Sequence, residues 1–101
     1  MKIEPTTICR PIACQIVNNK ILRIFINCII NNQEKIVFID FSGVVLDIIE
    51  KDKSYIDSAV AKRGFILLED DFSKQKEFKF NNFKKAIMEI ANDLRDEKLY
   101  I

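Results

Sequence analysis

The sequence predicts an α+β domain in which an antiparallel sheet of about four to five strands carries two helices on one face. Three observations lead to this class. Runs of β-forming residues are separated by Asn-rich turns, the last part of the chain has the period of an amphipathic helix, and 101 residues is the size of one domain. We therefore expect residues 1–101 to form a single domain.

The first half of the chain predicts a three-stranded meander. Asn18-Asn19 separates the first two runs, and asparagine tolerates the positive φ that a two-residue hairpin needs. Alternation predicts that one sheet face packs on helices and that the other meets solvent in part. The predicted strands are 12–17, 21–30 and 35–41, with Leu22, Ile24, Ile26, Cys28 and Ile30 on one face of the second and Val37, Ile39 and Phe41 on one side of the third.

The second half contains the helices. Residues 44–50 fit either a fourth strand or the first turns of a helix, because short apolar runs cannot be assigned by period alone. A helix should begin at Ser54, which can form a capping box with Asp57, and end at Gly64. The remaining expectations are a short strand over 65–68, a polar loop over 70–79, a short edge strand over 77–80, and a helix whose apolar stripe is Phe83, Ala86, Ile87, Ile90, Ala91 and Leu94.

The composition argues against most enzyme classes. The chain has no histidine, which excludes nucleophiles paired with a histidine base, and its two glycines are too few for a phosphate-binding loop. The three cysteines have neither metal-site spacing nor a disulfide pattern, so they are expected to be reduced packing residues. We predict that the protein is not an enzyme and uses no metal or cofactor.

The chain is also expected to be cytoplasmic. Residues 1–20 lack a basic segment followed by an apolar one, so no signal peptide is predicted. The apolar runs are too short for a membrane span, and reduced cysteines suit a reducing compartment.

Acidic residues are concentrated in one segment although the net charge is +1. Residues 44–73 contain seven acids against four bases. An acidic surface of this kind favours association with a basic protein. The residues predicted to contact such a partner are Asp47, Glu50, Asp52, Tyr55, Asp57, Glu69, Asp70 and Asp71.

The apolar strand that ends in Asp40-Phe41-Ser42-Gly43 resembles the first motif of haloacid-dehalogenase-type phosphatases. The resemblance places Asp40 at the position of the nucleophile. It implies a parallel sheet, and it places Ser42 where the family has a second aspartate that transfers a proton. The resemblance covers about a dozen residues.

The same segment is similar to the core of anti-sigma-antagonist (STAS) domains. That resemblance implies a strand followed by a helix, a role in protein contacts, and a serine at a helix start that acts as a phospho-switch. Ser42 or Ser54 would occupy that place. The alternative for Ser54 is a helix cap.

Two further patterns have simpler structural explanations. Glu69-Asp70-Asp71 offers oxygen ligands for a divalent cation, but a solvated loop explains it equally. Lysines interleaved with phenylalanines over 72–85 are typical of single-strand nucleic-acid binding and equally of an amphipathic strand that runs into a helix. We favour the structural explanation for both, and nucleic acid is not expected as a partner.

These observations predict a small protein-binding module. The favoured type is an inhibitor or immunity protein that neutralises a toxin or effector, with a basic partner such as a nuclease toxin. The alternatives are a STAS-like regulatory domain and a phosphatase-like enzyme that uses Asp40. The half-polar face of the central strand, with Arg23 and Asn27, leaves a homodimer open.

Overall fold

The computed structural model describes residues 3–49, 56–58 and 64–97. Within these ranges the chain forms one six-stranded antiparallel sheet, two α-helices and one short 3₁₀ helix, and residues 56–58 are also helical. The strands are β1 (Ile8–Val17), β2 (Lys20–Ile30), β3 (Gln33–Asp40), β4 (Val45–Ile49), β5 (Phe65–Leu67) and β6 (Phe78–Lys79), and the helices are α1 (Asp70–Gln75), the 3₁₀ helix (Phe80–Asn82) and α2 (Phe83–Glu97).

The strand order is β4-β3-β2-β1-β5, and β6 pairs with β1 beside β5. Strands β1, β2 and β3 follow one another as neighbours, which confirms the predicted meander. Helix α2 packs on the sheet, as its apolar stripe predicted. The α+β class is therefore confirmed, and the two-residue strand β6 brings the sheet one strand above the expected number.

Paired asparagines close both hairpins of the meander. Asn18 and Asn19 have φ angles of 53° and 64°, and Asn31 and Asn32 have φ angles of 52° and 62°. Two successive residues with positive φ define the turn that matches the twist of antiparallel strands. Asparagine adopts this conformation at lower cost than other non-glycine residues, so these local choices set the register of the meander.

Each face of the sheet carries a buried apolar cluster. Ile24 and Ile26 of β2 point toward α2, and Phe25 between them points to the opposite face. On that opposite face the ring of Phe25 stacks on Phe38, with 4.6 Å between centroids, and also contacts Phe65. The expectation that this face meets solvent in part is confirmed at Arg23 and Ile29, which are exposed, whereas Phe25 between them is fully buried.

The helical residues 56–58 lie over this second face. Ile56 is fully buried in the same cluster as Phe25 and Phe65. The expectation that both predicted helices pack on one face is therefore wrong for Ile56, since α2 covers the other face. Ser54, the predicted cap of this helix, lies outside the described residues, and Gly64 has the positive φ of 70° typical of a residue that ends a helix.

A β-bulge changes the alternation of β2 near its start. Gln15 pairs with Arg23 and Ile16 pairs with Ile21, so Leu22 is the extra residue on β2. Ile21 is consequently buried and Leu22 is exposed. The expected place of Leu22 on the apolar face is wrong, because the bulge reverses the faces at this end of the strand.

The segment over 44–50, which the sequence left open, contains strand β4.

The expected loop over 70–79 is wrong in its first part, where α1 forms. Asp70 and Asp71 occupy the first turn of α1, where negative charge suits the helix dipole. Buried Ser73 and partly buried Phe72 hold α1 against the core. A helix this short is not stable alone, so its contacts with the core stabilise it. The expected edge strand is confirmed as β6.

Candidate functional site

The predicted acidic residues fall on separate parts of the surface. Asp47 is exposed on β4 at one edge of the sheet, whereas Glu69, Asp70 and Asp71 are exposed beyond β5 at the other edge. Four inter-strand spacings separate these strands, which is roughly 19 Å. Asp57 is exposed in the helical residues 56–58. Glu69, Asp70 and Asp71 are next to one another, and Asp47 is at the opposite edge of the sheet from them.

Three of the predicted contact residues, Glu50, Asp52 and Tyr55, lie outside the described residues. In the part of the chain that the structure describes, no group of three or more Cys, Asp or Glu side chains is arranged to hold a metal ion. Helices in the same described ranges are also too short or too polar to span a membrane.

Asp40 organises the turn between β3 and β4. Its Oδ1 accepts hydrogen bonds from the Ser42 hydroxyl at 2.7 Å, the Ser42 N–H at 2.9 Å and the Val44 N–H at 3.0 Å. Its backbone carbonyl accepts the Gly43 N–H at 3.0 Å. The Ser42 hydroxyl, followed by the backbone N–H groups, lowers the pKa of the Asp40 carboxyl below its ordinary value.

This turn differs from what both family resemblances imply. The STAS resemblance implies a strand that leads into a helix, and the phosphatase resemblance implies a parallel sheet. Here β3 leads through the Asp40 turn into β4, and the two strands pair antiparallel. One carboxylate oxygen of Asp40, Oδ1, accepts three hydrogen bonds from its own turn.

The aromatic residues of the lysine-rich segment pack inward. Phe78 and Phe83 are buried, and Phe72 and Phe80 lie partly buried against the main core. Lys76 forms a salt bridge with Asp93 of α2 and lies over the Phe72 ring. The rings that would stack on bases in a nucleic-acid site therefore contribute to the core.

A groove lies at the end of the sheet where two hairpin turns meet α2. We call it the turn–helix groove, and its volume is about 640 Å³. Phe41 and Met88 are its most exposed apolar side chains, with 61% and 68% of their surfaces accessible. Its lining residues are Asn18, Asn19, Lys20, Ile21, Phe41, Ser42, Lys84, Ile87, Met88, Ala91, Asn92 and Arg95.

Backbone contacts position Phe41 in this groove. Strand β3 ends at Asp40, and the Phe41 N–H donates a 3.0 Å hydrogen bond to the carbonyl of the bulged residue Leu22. Gly43 continues the turn with a φ of 90°, which strongly favours glycine, and the ring of Phe83 approaches it closely. Phe41 lies on the α2 side of the sheet, which Val37 and Ile39 also face, but it is exposed in the groove whereas they are buried.

Helix α2 supplies the opposite wall. Lys84, Met88, Ala91 and Arg95 follow one another at spacings of three and four residues, so they form one stripe along the helix. Ile87 and Ala91 are buried at the base of the groove, and Met88 projects outward. The wall therefore combines an apolar surface with a cation toward each end.

The charged side chains that line the groove are cations, and one of them, Arg95, also forms an ion pair with Asp96 at 3.9 Å. The lining of the groove includes Lys20, Lys84 and Arg95, and none of the described residues that line it is Asp or Glu. A concave apolar surface with cations at its rim favours a ligand that combines an apolar group with negative charge.

Sequence reasoning did not identify this groove. One available signal was Met88, a large apolar residue outside the predicted stripe of its helix. Another was Ser42-Gly43, which ends the strand pattern directly after the large apolar residue Phe41. Comparison with protein-family models, with curated proteins and with solved structures finds no match to this chain.

Proposed function

We propose that this chain is a small cytoplasmic protein-binding module, of the inhibitor or immunity type, that neutralises a toxin or other effector by direct binding and without catalysis. The observation that carries this proposal is the exposure of Phe41 and Met88 together in one groove. Large apolar side chains gathered in a concave surface are typical of interaction sites.

The charges of the groove define the complementary surface. Lys20, Lys84 and Arg95 suit a partner segment that places an apolar side chain between Phe41 and Met88 and carries acidic residues on either side. The effector surface bound here is therefore acidic and apolar, which differs from the basic partner that the acid-rich sequence segment favours.

A second contact surface is favoured by the exposed acids Glu69, Asp70 and Asp71. They project from the far edge of the sheet at the start of α1. A basic partner would contact this surface, and the groove would remain open. The two surfaces share no residue, so separate substitutions can test them.

The absence of catalysis is supported by the Asp40 turn. Asp40 accepts three hydrogen bonds with one carboxylate oxygen, and they lower its pKa and hold it in the turn. A Mg²⁺-dependent phosphatase assay on the wild type and on Asp40→Asn tests this part. Phosphatase activity that disappears in Asp40→Asn would contradict the proposal.

A regulatory role for Ser42 is the second candidate function. Ser42 is exposed, lines the groove and donates its hydroxyl hydrogen to Asp40. A phosphate there would place negative charge next to the Asp40 carboxylate and remove that hydrogen bond. The phosphomimetic Ser42→Asp should then change partner binding, and unchanged binding would count against regulation at this serine.

The main experiment is a comparative pull-down from host lysate, read by mass spectrometry, with a size-exclusion profile of each protein. The groove variant is Met88→Glu, which places an acid on an exposed side chain without disturbing the core. The matched control is Glu89→Lys, also exposed and next to Met88 on α2 but outside the groove lining. A third variant, Asp70→Lys with Asp71→Lys, tests the acidic surface.

A stoichiometric protein that the wild type and Glu89→Lys retain, and that Met88→Glu loses, is the expected result. Loss of the partner in the Asp70→Lys/Asp71→Lys variant alone would show that the partner contacts the acidic surface. Retention by every variant, or no protein partner with a homodimer in the size-exclusion profile, would overturn the proposed binding through the groove.

A further inference from the structure

Two of the three cysteines face each other across neighbouring strands. Cys9 of β1 and Cys28 of β2 are direct partners in the antiparallel register. Their Sγ atoms are 3.2 Å apart, and both side chains are fully buried. All three cysteines are free thiols, and Cys14 pairs instead with Ile24.

The backbone geometry at this pair suits a disulfide. Directly opposed residues of antiparallel strands have Cα atoms about 4.5–5.5 Å apart. Disulfides bridge Cα atoms about 4.4–6.8 Å apart, with a sulfur–sulfur bond of about 2.05 Å. The two sulfur atoms can close the remaining separation by side-chain rotation, so the strands can keep their register.

We propose that Cys9 and Cys28 are a redox-modification site that forms a reversible intramolecular disulfide when the chain meets a low-molecular-weight disulfide. One protein thiolate attacks that oxidant, breaks its sulfur–sulfur bond and releases one small thiol. The second protein thiolate attacks the resulting mixed disulfide and releases the other small thiol. The protein pair loses two electrons and two protons, and both are found in the two small thiols produced.

We expect the oxidant to reach the pair at β6, the shortest described strand of the sheet. Cys9 pairs on its other side with Phe78 of β6, a strand of only two residues. Such a short edge strand opens at low free-energy cost compared with the whole domain, and its opening exposes the thiol of Cys9. Because the thiolate is the attacking species, the reaction is expected to accelerate as pH rises.

Disulfide formation between Cys9 and Cys28 does not depend on the proposed partner binding. The Cys9–Cys28 disulfide would join β1 to β2 at the end of the hairpin away from Asn18 and Asn19, which line the turn–helix groove. Loss of partner binding in one experiment and failure of disulfide formation in the other can therefore be recognised separately.

The test exposes the folded, reduced chain to glutathione disulfide under native conditions, followed by an acid quench and alkylation. We expect a product lighter by two hydrogen atoms that retains one alkylatable thiol. Because Arg10 precedes Pro11, trypsin leaves Cys9 and Cys14 on one peptide, so fragmentation spectra of the cross-linked peptide must assign the bond. Cys14→Ser should still form the disulfide, and the matched variants Cys9→Ser and Cys28→Ser should not.

Three alkylatable thiols after exposure of the folded wild type would overturn the proposal. A disulfide that includes Cys14, or a stable mixed disulfide with glutathione as the end product, would overturn it as well. The wild-type measurement and its fragmentation spectra decide the question even if a serine variant fails to fold.

Discussion

The Ser73 hydroxyl donates a hydrogen bond to the backbone carbonyl of Pro11, which lies far from it in sequence. Pro11 is on β1 between the segment that pairs with β5 and the segment that pairs with β6. Both residues are buried, and a buried carbonyl needs a hydrogen-bond donor. Ser73 of α1 therefore provides the hydrogen bond that neither strand provides at this point of the sheet edge.

Substitution Ser73→Ala should lower the free energy of unfolding by about 1–3 kcal/mol, because it leaves the Pro11 carbonyl buried without this donor. Urea unfolding monitored by circular dichroism measures the change. Ser58→Ala is the matched control, since Ser58 is exposed, and it should change stability by less than about 0.5 kcal/mol. Equal effects of the two substitutions would show that the Ser73 hydrogen bond does not stabilise the fold.

The Asp40 turn should stabilise the fold in a pH-dependent manner. The folded-state pKa of Asp40 is lowered, so its contribution is present above the unfolded pKa of about 3.9 and is lost as pH falls through the folded pKa. Asp40→Asn should lower the urea midpoint at neutral pH, and the difference from the wild type should shrink in acid.

The matched control for Asp40→Asn is Glu34→Gln, which removes a charge from an exposed residue near the other turn of β3. Its urea midpoint should follow the wild type at both pH values. A difference between Asp40→Asn and wild type that does not depend on pH would contradict the role of the ionised carboxylate.

Because Asn32 has a positive φ, the stability of the protein should depend on the shape of the side chain at this position. Asn32→Val should destabilise the protein by about 1–2 kcal/mol, because a β-branched residue meets steric conflict in the left-handed region. Asn32→Gly, which removes the side chain but suits the same turn, should be at least as stable as the wild type. Thermal unfolding of the three proteins separates these outcomes, and equal midpoints for Val and Gly would contradict a type I′ turn at this hairpin.

Cys14 should make the fold sensitive to alkali. Burial raises the pKa of Cys14 to about 12, so between about pH 9 and that value the thiol ionises in the unfolded chain while it stays protonated in the folded one. Its contribution is therefore complete below about pH 9 and should be lost progressively as the pH rises toward about 12. Urea midpoints from about pH 8 to about pH 11 should fall more steeply in the wild type than in Cys14→Ala, and parallel curves would contradict this.

Several elements were predictable because their signals are local. The Asn18-Asn19 turn, the strands of the meander and the helical stripe of α2 each depend on residues close together in sequence. Helix α1 was not predictable in this way, since its polar sequence resembles a loop until Ser73 and Phe72 contact the core. The burial of the Ile21 side chain depends on a β-bulge that forms only when β2 pairs with β1.

The candidate site was the least predictable part. The acidic residues were selected because they are close in sequence, but Asp47 and Glu69 belong to opposite edges of the sheet. The groove joins residues from two turns and a helix, and no local pattern relates Phe41 to Met88. Charge density along the chain therefore did not predict charge density on the surface.

The sequence by itself determined the fold class, the meander with its asparagine turns, and the helix that covers one face of the sheet. Local conformational preference and the period of apolar residues are sufficient for these features. Only the tertiary structure decided that a second apolar cluster around Phe25 is buried on the face opposite α2, that Cys9 lies against Cys28, and that Phe41 and Met88 share a groove. These features depend on strand register, bulges and helix placement, which arise from contacts between residues that are distant in the chain.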